Sequence, residues 1–283
     1  MSKARWMTVA VAVAAALLGP RGLWRLTKSP GTQVLGTLVP RVETSERVVA
    51  LTFDDGPVPA VLDDVLDMLR VLDVHATFFV TGSELSAAPG AGSRLVQAGH
   101  ELGNHSYSHS RMVLKTPWFV SREIERTDQL IRAAGYSGEI FFRPPFGKKL
   151  FVLPWYLWRT GRTSVTWDVD ADSTAGKGVA AMSIAGRAAE RVRPGSIVLF
   201  HIWYPERSAS RAAVPLLVRT LRDRGFRFVT VGQLLSKKWV QAGARWHHEY
   251  ALLNWRVRSH LARLPSPGVM LWTVPEPSGH HAI

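Results

Sequence analysis

The sequence predicts an α/β fold in which short apolar strands alternate with amphipathic helices. Apolar runs that end in polar residues recur along the chain, and segments with helical periodicity separate them. The 283 residues suffice for one large domain, and a hydrophobic content of 46% excludes general disorder. Polar residues at the carboxyl ends of parallel strands are where barrels of this class build their sites. We therefore look for function at the strand ends.

The predicted elements alternate regularly through the centre of the chain. In order, they are a strand near 48–53, a helix near 61–72, a strand at 76–80, a helix near 121–134, a strand at 164–168, a helix near 214–224 and a strand at 226–230. Gly225 separates the last helix from the last strand, as a helix-ending glycine does.

The segment TFDDGP at residues 52–57 ends the first strand with two adjacent carboxylates, Asp54 and Asp55. Because side chains alternate across a strand, these two point in different directions and can do different work. One could hold a metal ion while the other moves a proton. A strand that simply closes in an Asp-Gly turn is the alternative.

Two histidines four positions apart, His105 and His109, follow in the segment GNHSYSH. This spacing predicts that both lie on one face of a helical turn. With Asp55 they form a two-histidine, one-carboxylate set that leaves positions open for water and substrate, as a catalytic zinc site requires. No Glu follows the first His, so the base must come from elsewhere, and Asp54 is the candidate. Alone, such a pair is more often two surface histidines than two ligands.

Three further segments lie at or just past predicted strands: FRPPFG at 142–147, WDVDAD at 167–172 and IVLFH at 197–201. The ordered set TFDDGP, HSYSH, RPPFG, WDVDAD and VLFH resembles the polysaccharide deacetylase family, which is carbohydrate esterase family 4 or the NodB-homology domain. The resemblance runs from about Arg47 to Leu235, and we place the domain at residues 46–235. It implies an irregular (β/α) barrel, usually with seven strands.

The resemblance also implies a role for each motif residue. Asp54 would be the catalytic base, and Asp55, His105 and His109 would hold a divalent ion, with Zn²⁺ expected. Metal-bound water would then attack the acetamide carbonyl. Arg143 would pair with Asp54 and keep it ionised and oriented, unless it is merely a surface arginine at a strand end.

The later motifs would supply the remaining catalytic groups. Phe146 stands where the family more often has Tyr, and its backbone N–H would help to bind the oxyanion. His201 matches the general acid that protonates the departing amine. We choose Asp170 as the carboxylate that orients His201 and raises its pKa, although Asp168 or Asp172 could do so, and any of the three could instead cap the following turn.

Substrate contacts are predicted from aromatic and proline residues beside these motifs. Trp203 follows His201 closely, and Pro145 belongs to the arginine motif. With Trp155 and Trp158, Trp203 could form apolar walls for a methyl group or stack on a sugar. Core packing is at least as good an interpretation for Trp155 and Trp158.

Residues 1–19 read as a signal peptide or membrane anchor. Lys3 and Arg5 precede an apolar run at 6–18, and a stretch of about 13 residues is short for a membrane span but normal for a signal-peptide core. No clean small-x-small cleavage site follows, so an uncleaved anchor stays open. Residues 20–45 are predicted to be a linker. We therefore expect export to the cell envelope, either secreted or anchored.

The chain carries a formal net charge of +13 and no cysteine. The charge predicts contact with an anionic envelope polymer or a membrane surface, although a simple bias towards arginine is the alternative. The sequence contains no zinc finger, phosphate-binding loop or RNA-reading aromatic motif, so nucleic acid is not an expected partner. The lack of cysteine excludes disulfides and thiol chemistry.

Residues 236–283 lie beyond the resemblance but carry an apolar stripe at helical spacing. Its members are Trp239, Trp246, Tyr250, Leu253, Val257, Leu261 and Leu264. We predict an amphipathic helix that docks on the barrel or lies in a membrane interface, followed by a tail.

Together these features predict a metal-dependent hydrolase that removes acetyl groups from N-acetylated sugars of a cell-envelope polysaccharide. Peptidoglycan N-acetylglucosamine is the first expected substrate, and chitin oligosaccharides are the second. A related amide or acetyl-ester hydrolase could use the same site. A non-catalytic wall-binding barrel and a membrane-tethered interaction protein also stay open. The joint presence of base, ligands, acid and arginine argues against a decayed enzyme.

Overall fold

A parallel sheet organises the protein, and its central strand β2 (Val48–Asp54) is buried along its whole length. The computed structural model describes Gly19, Thr27, residues 29–176 and residues 178–241, with only the helical assignment given for 237–241. These residues belong to one contact unit, Met1–Gln241. Most of the predicted signal segment and nearly all of the predicted C-terminal helix and tail lie outside the described residues. No helix in the described part is long and apolar enough to cross a membrane.

Short strands and helices follow one another along the described part of the chain. The strands are β1 (Leu38–Val39), β2 (Val48–Asp54), β3 (Thr77–Val80), β4 (Glu101–Asn104), β5 (Ser164–Val165), β6 (Val169–Asp170), β7 (Ile197–His201) and β8 (Arg227–Val229). The α-helices are α1 (Pro59–Val71), α2 (Gly82–Ala87), α3 (Ala91–Gln97), α4 (Pro117–Ala133), α5 (Val152–Arg159), α6 (Ala181–Arg191), α7 (Ser208–Asp223) and α8 (Val231–Gln241). Short 3₁₀ turns occupy Pro145–Gly147 and Pro205–Arg207.

Every pairing between these strands is parallel. The main sheet has the order β4-β3-β2-β7-β6, while β8 pairs with the first half of β2 and β1 pairs with β5. Phe142 makes single bridges to Asn104 at the end of β4 and to Ser164 in β5. Because parallel strands end at the same edge, the register places Asp54 directly beside His201.

The strands and helices form where the spacing of apolar residues lets these side chains be buried in the core. β2 reads as a continuous apolar run because both of its faces are covered. Helix α4 begins at Pro117 and is capped by Thr116, whose side chain accepts a hydrogen bond from Phe119 N. Its buried residues Val120, Ile124 and Ile131 recur at helical spacing and face the core.

The structure confirms the α/β class and the parallel sheet, and it corrects two details. Within the predicted strand at 164–168 only β5 (Ser164–Val165) is a strand, and the next strand, β6, begins at Val169. They separate because the Asp168 carboxylate accepts hydrogen bonds from Ser196 Oγ and Ile197 N, which draws the chain towards β7. The predicted linker at 20–45 is wrong at its end, since β1 lies within it and Val42 is only 1% exposed.

Contacts of the N-terminal segment extend to the loop of the arginine motif. The backbone carbonyl of Thr27 accepts a hydrogen bond from Lys149 N at 3.1 Å, and Lys149 Nζ donates to the carbonyl of Ser29 at 2.7 Å. The Thr166 hydroxyl donates to the carbonyl of Pro30 at 2.7 Å. The residues just before β1 therefore help to support the loop at 145–149.

We predict that Gly195→Ala destabilises the protein strongly. Gly195 has a φ of +79°, and a Cβ built there would lie 1.8 Å from the Val42 carbonyl oxygen. The clash and the left-handed backbone together should lower the free energy of unfolding by about 3 kcal/mol or more. Urea unfolding followed by tryptophan fluorescence measures the loss.

Gly186→Ala is the matched control for this prediction. Gly186 lies inside α6 with open space around its Cβ position, so alanine there should stabilise the helix by roughly 0.5–1 kcal/mol. Equal unfolding midpoints for the two variants would show that the Gly195–Val42 approach does not constrain the fold.

Candidate active site

A buried ion pair between Asp54 and Arg143 lies at the carboxyl end of β2. Arg143 Nη1 is 2.6 Å from Asp54 Oδ1, and the two side chains are 0% and 3% exposed. The other guanidinium donors reach Thr52 Oγ1 at 2.9 Å, the Val165 carbonyl at 3.2 Å and the Thr166 carbonyl at 2.9 Å. These partners fix the arginine, so it is not a surface residue at a strand end.

The ion pair sets the charge state of Asp54. Burial by itself raises the pKa of this carboxyl group, but the charge and hydrogen bond of Arg143, with the charge of His201, outweigh it and hold the pKa below its usual value. Asp54 is therefore an ionised carboxylate with one oxygen bound by Arg143. Its other oxygen, Oδ2, lies 3.6 Å from His105 Nε2.

Three ligand-type side chains converge beside this carboxylate. One ligand atom from each of Asp55, His105 and His109 lies within 4.8 Å of the other two. Asp55 follows β2 with a φ of +71°, which turns its side chain away from the strand direction of Asp54. His109 Nε2 lies 3.4 Å from Asp55 Oδ1.

The surroundings of His105 fit a metal ligand. Its Nδ1 lies 2.8 Å from the Arg143 carbonyl oxygen, which can only accept, so Nδ1 carries the proton and the Nε2 lone pair is available. Burial lowers the pKa of His105 to about 3, which keeps the imidazole neutral, as a ligand must be. Burial, with the charges of Asp54 and Glu84, raises the pKa of Asp55 despite the opposing effect of His109.

The two histidines meet through a loop and not through the predicted helical turn. Ser106 and His109 have positive φ values of 67° and 52°, which no α-helix contains. The Glu123 side chain of α4 accepts hydrogen bonds from Ser108 N and Ser108 Oγ, and Asn104 Oδ1 accepts one from Ser106 N. Side-chain hydrogen bonds to this backbone thus replace those of a helix, while the ligands still converge as expected.

His201, at the end of β7, is paired with Asp172. Its Nδ1 lies 2.9 Å from Asp172 Oδ1, and its backbone N donates to Asp172 Oδ2 at 2.9 Å. Burial alone lowers the pKa of His201, but the hydrogen bond and charge of Asp172, with the charges of Asp54 and Asp55, raise it above the usual value. An imidazolium supported in this way is suited to donate a proton.

The choice of Asp170 as the partner of His201 is therefore wrong. Asp170 Oδ1 instead accepts a hydrogen bond from Ser173 N, which is the turn-capping role considered as an alternative. The carboxylate of Asp168 accepts hydrogen bonds from Ser196 Oγ and Ile197 N at the start of β7. Asp172 lies past the end of β6, where the chain bends its fully buried carboxylate under His201.

Phe146 occupies the turn of the arginine motif beside the ligand set. Its φ of +58° is unusual for an aromatic residue, and such a conformation persists where the surroundings impose it. The residue is 50% exposed, and the centroid of its ring lies 4.5 Å from that of His109. Phe146 thus places an apolar ring next to the candidate metal ligand His109.

The predicted substrate contacts at Trp203 and Pro145 are not supported by their burial. Trp203 is 0% exposed and belongs to the main core cluster, with its ring 5.7 Å from that of Phe78. A Cβ at Gly56 would lie 2.5 Å from the indole, so the tryptophan packs directly beneath the Asp-Gly turn. Pro145 is also buried, which leaves Phe146 as the exposed residue of that motif.

Sequence reasoning missed Glu84, which holds the turn after Asp55. Its Oε2 accepts hydrogen bonds from Gly56 N and Thr81 Oγ1, both at 2.6 Å, and its Oε1 accepts one from Tyr204 OH at 2.7 Å. The pattern Thr81-x-x-Glu84 matches a helix capping box, so the sequence signalled only a capping residue. The bond to Gly56, 28 residues away, had no local signal.

The assembled geometry can carry out hydrolysis with a base and an acid around one divalent ion. An ionised carboxylate and a raised-pKa imidazole lie on neighbouring strands, and the three ligand side chains lie beside them. Two groups whose surroundings drive their pKa values in opposite directions are typical of acid and base partners.

Comparisons with known proteins support this interpretation. A sequence model of the polysaccharide deacetylase family matches residues 41–160. The chain is 32% identical to the peptidoglycan-N-acetylmuramic acid deacetylase PdaC of Bacillus subtilis over 70% of its length, but it spans only 40% of that protein. It is 30% identical to a peptidoglycan-N-acetylglucosamine deacetylase of Bacillus cereus, covering 70% of this chain and 92% of the relative.

Two further matches cover nearly the whole length of the similar protein. A chitooligosaccharide deacetylase of Sinorhizobium fredii is 34% identical, with 66% of this chain and 92% of the relative covered. The solved structure of the Bc1960 peptidoglycan N-acetylglucosamine deacetylase superposes with a TM-score of 0.64 at 31% identity, covering 69% of this chain and 90% of that one. The resemblance inferred from the five motifs is confirmed, and this chain belongs to the polysaccharide deacetylase family of hydrolases.

Proposed function

We propose that the protein hydrolyses N-acetyl groups on sugars of a cell-envelope polysaccharide, with peptidoglycan N-acetylglucosamine as the first substrate and chitin oligosaccharides as the second. One observation carries the proposal: the buried Asp54–Arg143 pair lies beside the Asp55, His105 and His109 ligand atoms, next to a histidine supported by Asp172. The names of the similar proteins, which include deacetylases of peptidoglycan and of chitooligosaccharides, support the substrate class.

The ligand set fits a divalent ion, and we infer Zn²⁺. Two neutral imidazoles and one carboxylate are typical zinc ligands, and three protein ligands leave a position for exchangeable groups. When bound, the ion would supply Lewis acidity to the acetyl carbonyl and to water. His105 would use Nε2, since its Nδ1 is engaged by the Arg143 carbonyl.

Asp54 acts as the base in this proposal. Its Oδ2 is the oxygen not bound by Arg143, and it is directed towards the ligand set, 3.6 Å from His105 Nε2. This oxygen takes the proton of the attacking water. Arg143 keeps the carboxylate ionised and prevents its rotation, because its guanidinium group is fixed by main-chain carbonyls on the other side.

His201 acts as the acid and protonates the departing amine. Asp172 binds Nδ1 of its ring, so the proton on Nε2 is the one that can be given. The backbone N–H of Phe146 helps to bind the oxyanion as the carbonyl becomes tetrahedral. The Phe146 ring, exposed beside His109, provides an apolar surface for the acetyl methyl group.

We also propose that the sheet closes as an irregular (β/α) barrel. The pairing path β2-β3-β4 continues through the Phe142 bridges to β5, and the same stretch of chain returns through β6 to β7, which pairs with β2. A path that returns to its starting strand supports closure. Motif residues at the carboxyl ends of the strands agree with the position of sites in such barrels.

The location and domain limits are proposals from the sequence. Residues 1–19 would direct export, as a cleaved signal or as an anchor, and place the enzyme in the cell envelope where its polymer lies. The catalytic domain would end near residue 235, with the segment at 236–283 forming an amphipathic helix and tail. The contacts of residues 27–42 support a start for the folded domain before residue 46.

Acetate release by the purified protein, before and after removal of metal, tests the proposal. We expect release from peptidoglycan and from N-acetylglucosamine oligomers, near-complete loss after chelation, and recovery with about one equivalent of Zn²⁺ per chain. Elemental analysis gives the metal content alongside the rate. A folded, zinc-loaded protein that releases acetate from neither polymer would favour another acyl substrate or the wall-binding barrel.

Replacement of the proposed base should separate catalysis from metal binding. Asp54→Asn is expected to lower kcat by about 10³-fold while zinc stays bound, because general-base catalysis typically contributes 10²–10⁴-fold. The control is Asp55→Asn, which should weaken zinc binding itself. Loss of zinc from Asp54→Asn with retention in Asp55→Asn would mean that the base and ligand roles are exchanged.

The pH dependence should identify the partner of the acid. His201 must be protonated to donate, so activity falls as pH rises through its pKa, which Asp172 raises. Asp172→Asn is expected to move the alkaline limb of the kcat profile to lower pH, since the raising charge is removed. Asp170→Asn is the control and should leave the limb in place. The opposite result would restore Asp170 as the supporting carboxylate.

A further inference from the structure

Three arginines near the candidate active site lie over aromatic rings without a carboxylate partner. The guanidinium carbons of Arg111, Arg122 and Arg126 lie 5.3, 5.2 and 3.7 Å from the ring centroids of Phe146, Trp118 and Tyr107, respectively. We call these six residues the arginine–aromatic surface. Among the described residues, none of the three arginines forms an ion pair, whereas Arg41, Arg94, Arg143 and Arg162 each do.

The chain brings this surface directly to the candidate metal ligands. Tyr107 lies between His105 and His109 in the ligand loop, and Arg111 follows two residues later. The ring of Phe146 lies beneath the guanidinium group of Arg111. Its centroid is also 4.5 Å from the centroid of the His109 ring. A polymer whose acetyl group reaches the ligand set would therefore extend across or beside these residues.

Helix α4 supplies the other part of the surface. Trp118, Arg122 and Arg126 are spaced four residues apart, so they lie along one face of the helix. A cavity of about 150 Å³ opens between this face and Tyr107, with Phe119 and Glu123 completing its lining. The volume exceeds that of several water molecules and accommodates a small polar group.

The carboxylate of Glu123 does not form an ion pair with Arg122 or Arg126, so it does not compete with an incoming anion. Its side chain is 8% exposed, and its Oε2 is used by the backbone N and hydroxyl of Ser108. Arg122 and Arg126 are exposed, and their guanidinium carbons lie over the rings of Trp118 and Tyr107. The N–H edges of a stacked guanidinium stay open to an anion, which they can bind through two parallel hydrogen bonds.

We propose that the arginine–aromatic surface binds carboxylate groups carried by the polysaccharide substrate, so that the enzyme prefers an acidic, carboxylate-bearing glycan to a neutral one. This inference rests on the proposed function and narrows its substrate class. Exposed Trp118 offers a ring on which a sugar can stack, while the neighbouring arginines bind the carboxylates. Planar, bidentate recognition is the chemistry that distinguishes arginine from lysine at such a site.

The double variant Arg122→Gln/Arg126→Gln tests the proposal. Acetate release is measured on three substrates: peptidoglycan fragments with free stem-peptide carboxylates, the same fragments with those groups converted to amides, and neutral N-acetylglucosamine hexamers. We expect KM for the free-carboxylate fragments to rise about tenfold, with kcat changed less than about twofold, because two exposed charge pairs are lost outside the reacting centre. KM for the amidated fragments and the hexamers should not change.

The matched control is Arg187→Gln/Arg219→Gln. These two arginines are also exposed on helices, α6 and α7, and the substitution removes the same net charge. We expect no change in KM for any of the three substrates. An equal rise in KM in both double variants would mean that only the net charge of the protein matters, and it would overturn the proposal. An equal rise in KM for the free-carboxylate and the amidated fragments would overturn it as well.

Direct binding separates this inference from the proposed reaction. Fluorescence anisotropy of labelled fragments reports affinity without turnover, so it tests the surface even if the wild-type protein releases no acetate. About tenfold weaker binding of free-carboxylate fragments by the Arg122→Gln/Arg126→Gln variant supports the inference. Unchanged binding of these fragments, with weaker binding of a phosphate-bearing wall polymer or of anionic lipid vesicles, would assign the surface to that other ligand.

Discussion

The buried contact between Arg143 and Asp54 is the interaction on which the site depends. One guanidinium group joins the end of β2, through Asp54 and Thr52, to the strand region that supplies the Val165 and Thr166 carbonyls. The backbone carbonyl of the same arginine fixes the ring of His105. Burying an ion pair away from water costs free energy unless nearly every N–H of the guanidinium group has a hydrogen-bond acceptor. Here the partners are present, so the desolvated arginine connects Asp54 and His105 rigidly.

Opposite charges at hydrogen-bond distance move the pKa values of Asp54 and His201 in different directions. Asp54 and His201 are register neighbours on adjacent strands, yet one has a lowered pKa and the other a raised pKa. The cause in each case is an opposite charge at hydrogen-bond distance, Arg143 for the carboxylate and Asp172 for the imidazole. Each charge pair overcomes a burial effect of the opposite sign. The fold thus favours the charged form of both groups, on neighbouring strand ends.

The α/β class, the parallel sheet and the convergence of Asp55, His105 and His109 were predictable, because each motif follows a strand that its own short segment identifies. Apolar runs locate strands, and parallel strands must end at one edge. The path of the ligand loop, the choice of Asp172 over Asp170 and the burial of Trp203 were not predictable. They depend on Glu123, on a bend after β6 and on packing beneath Gly56, which are contacts between residues far apart in sequence. A single sequence gives residue types at motif positions but not the direction of a side chain in a loop.

The contacts before β1 have a consequence for how the domain is delimited. Backbone carbonyls of Thr27, Ser29 and Pro30 bind Lys149 and Thr166, next to the turn that carries Phe146 and the carbonyl that fixes Arg143. A fragment begun at residue 46 would lose these contacts together with the whole of β1, and would expose the back of the arginine-motif loop to solvent. The end of the predicted linker is thus part of the folded domain, and it supports the loop that carries Phe146 from behind.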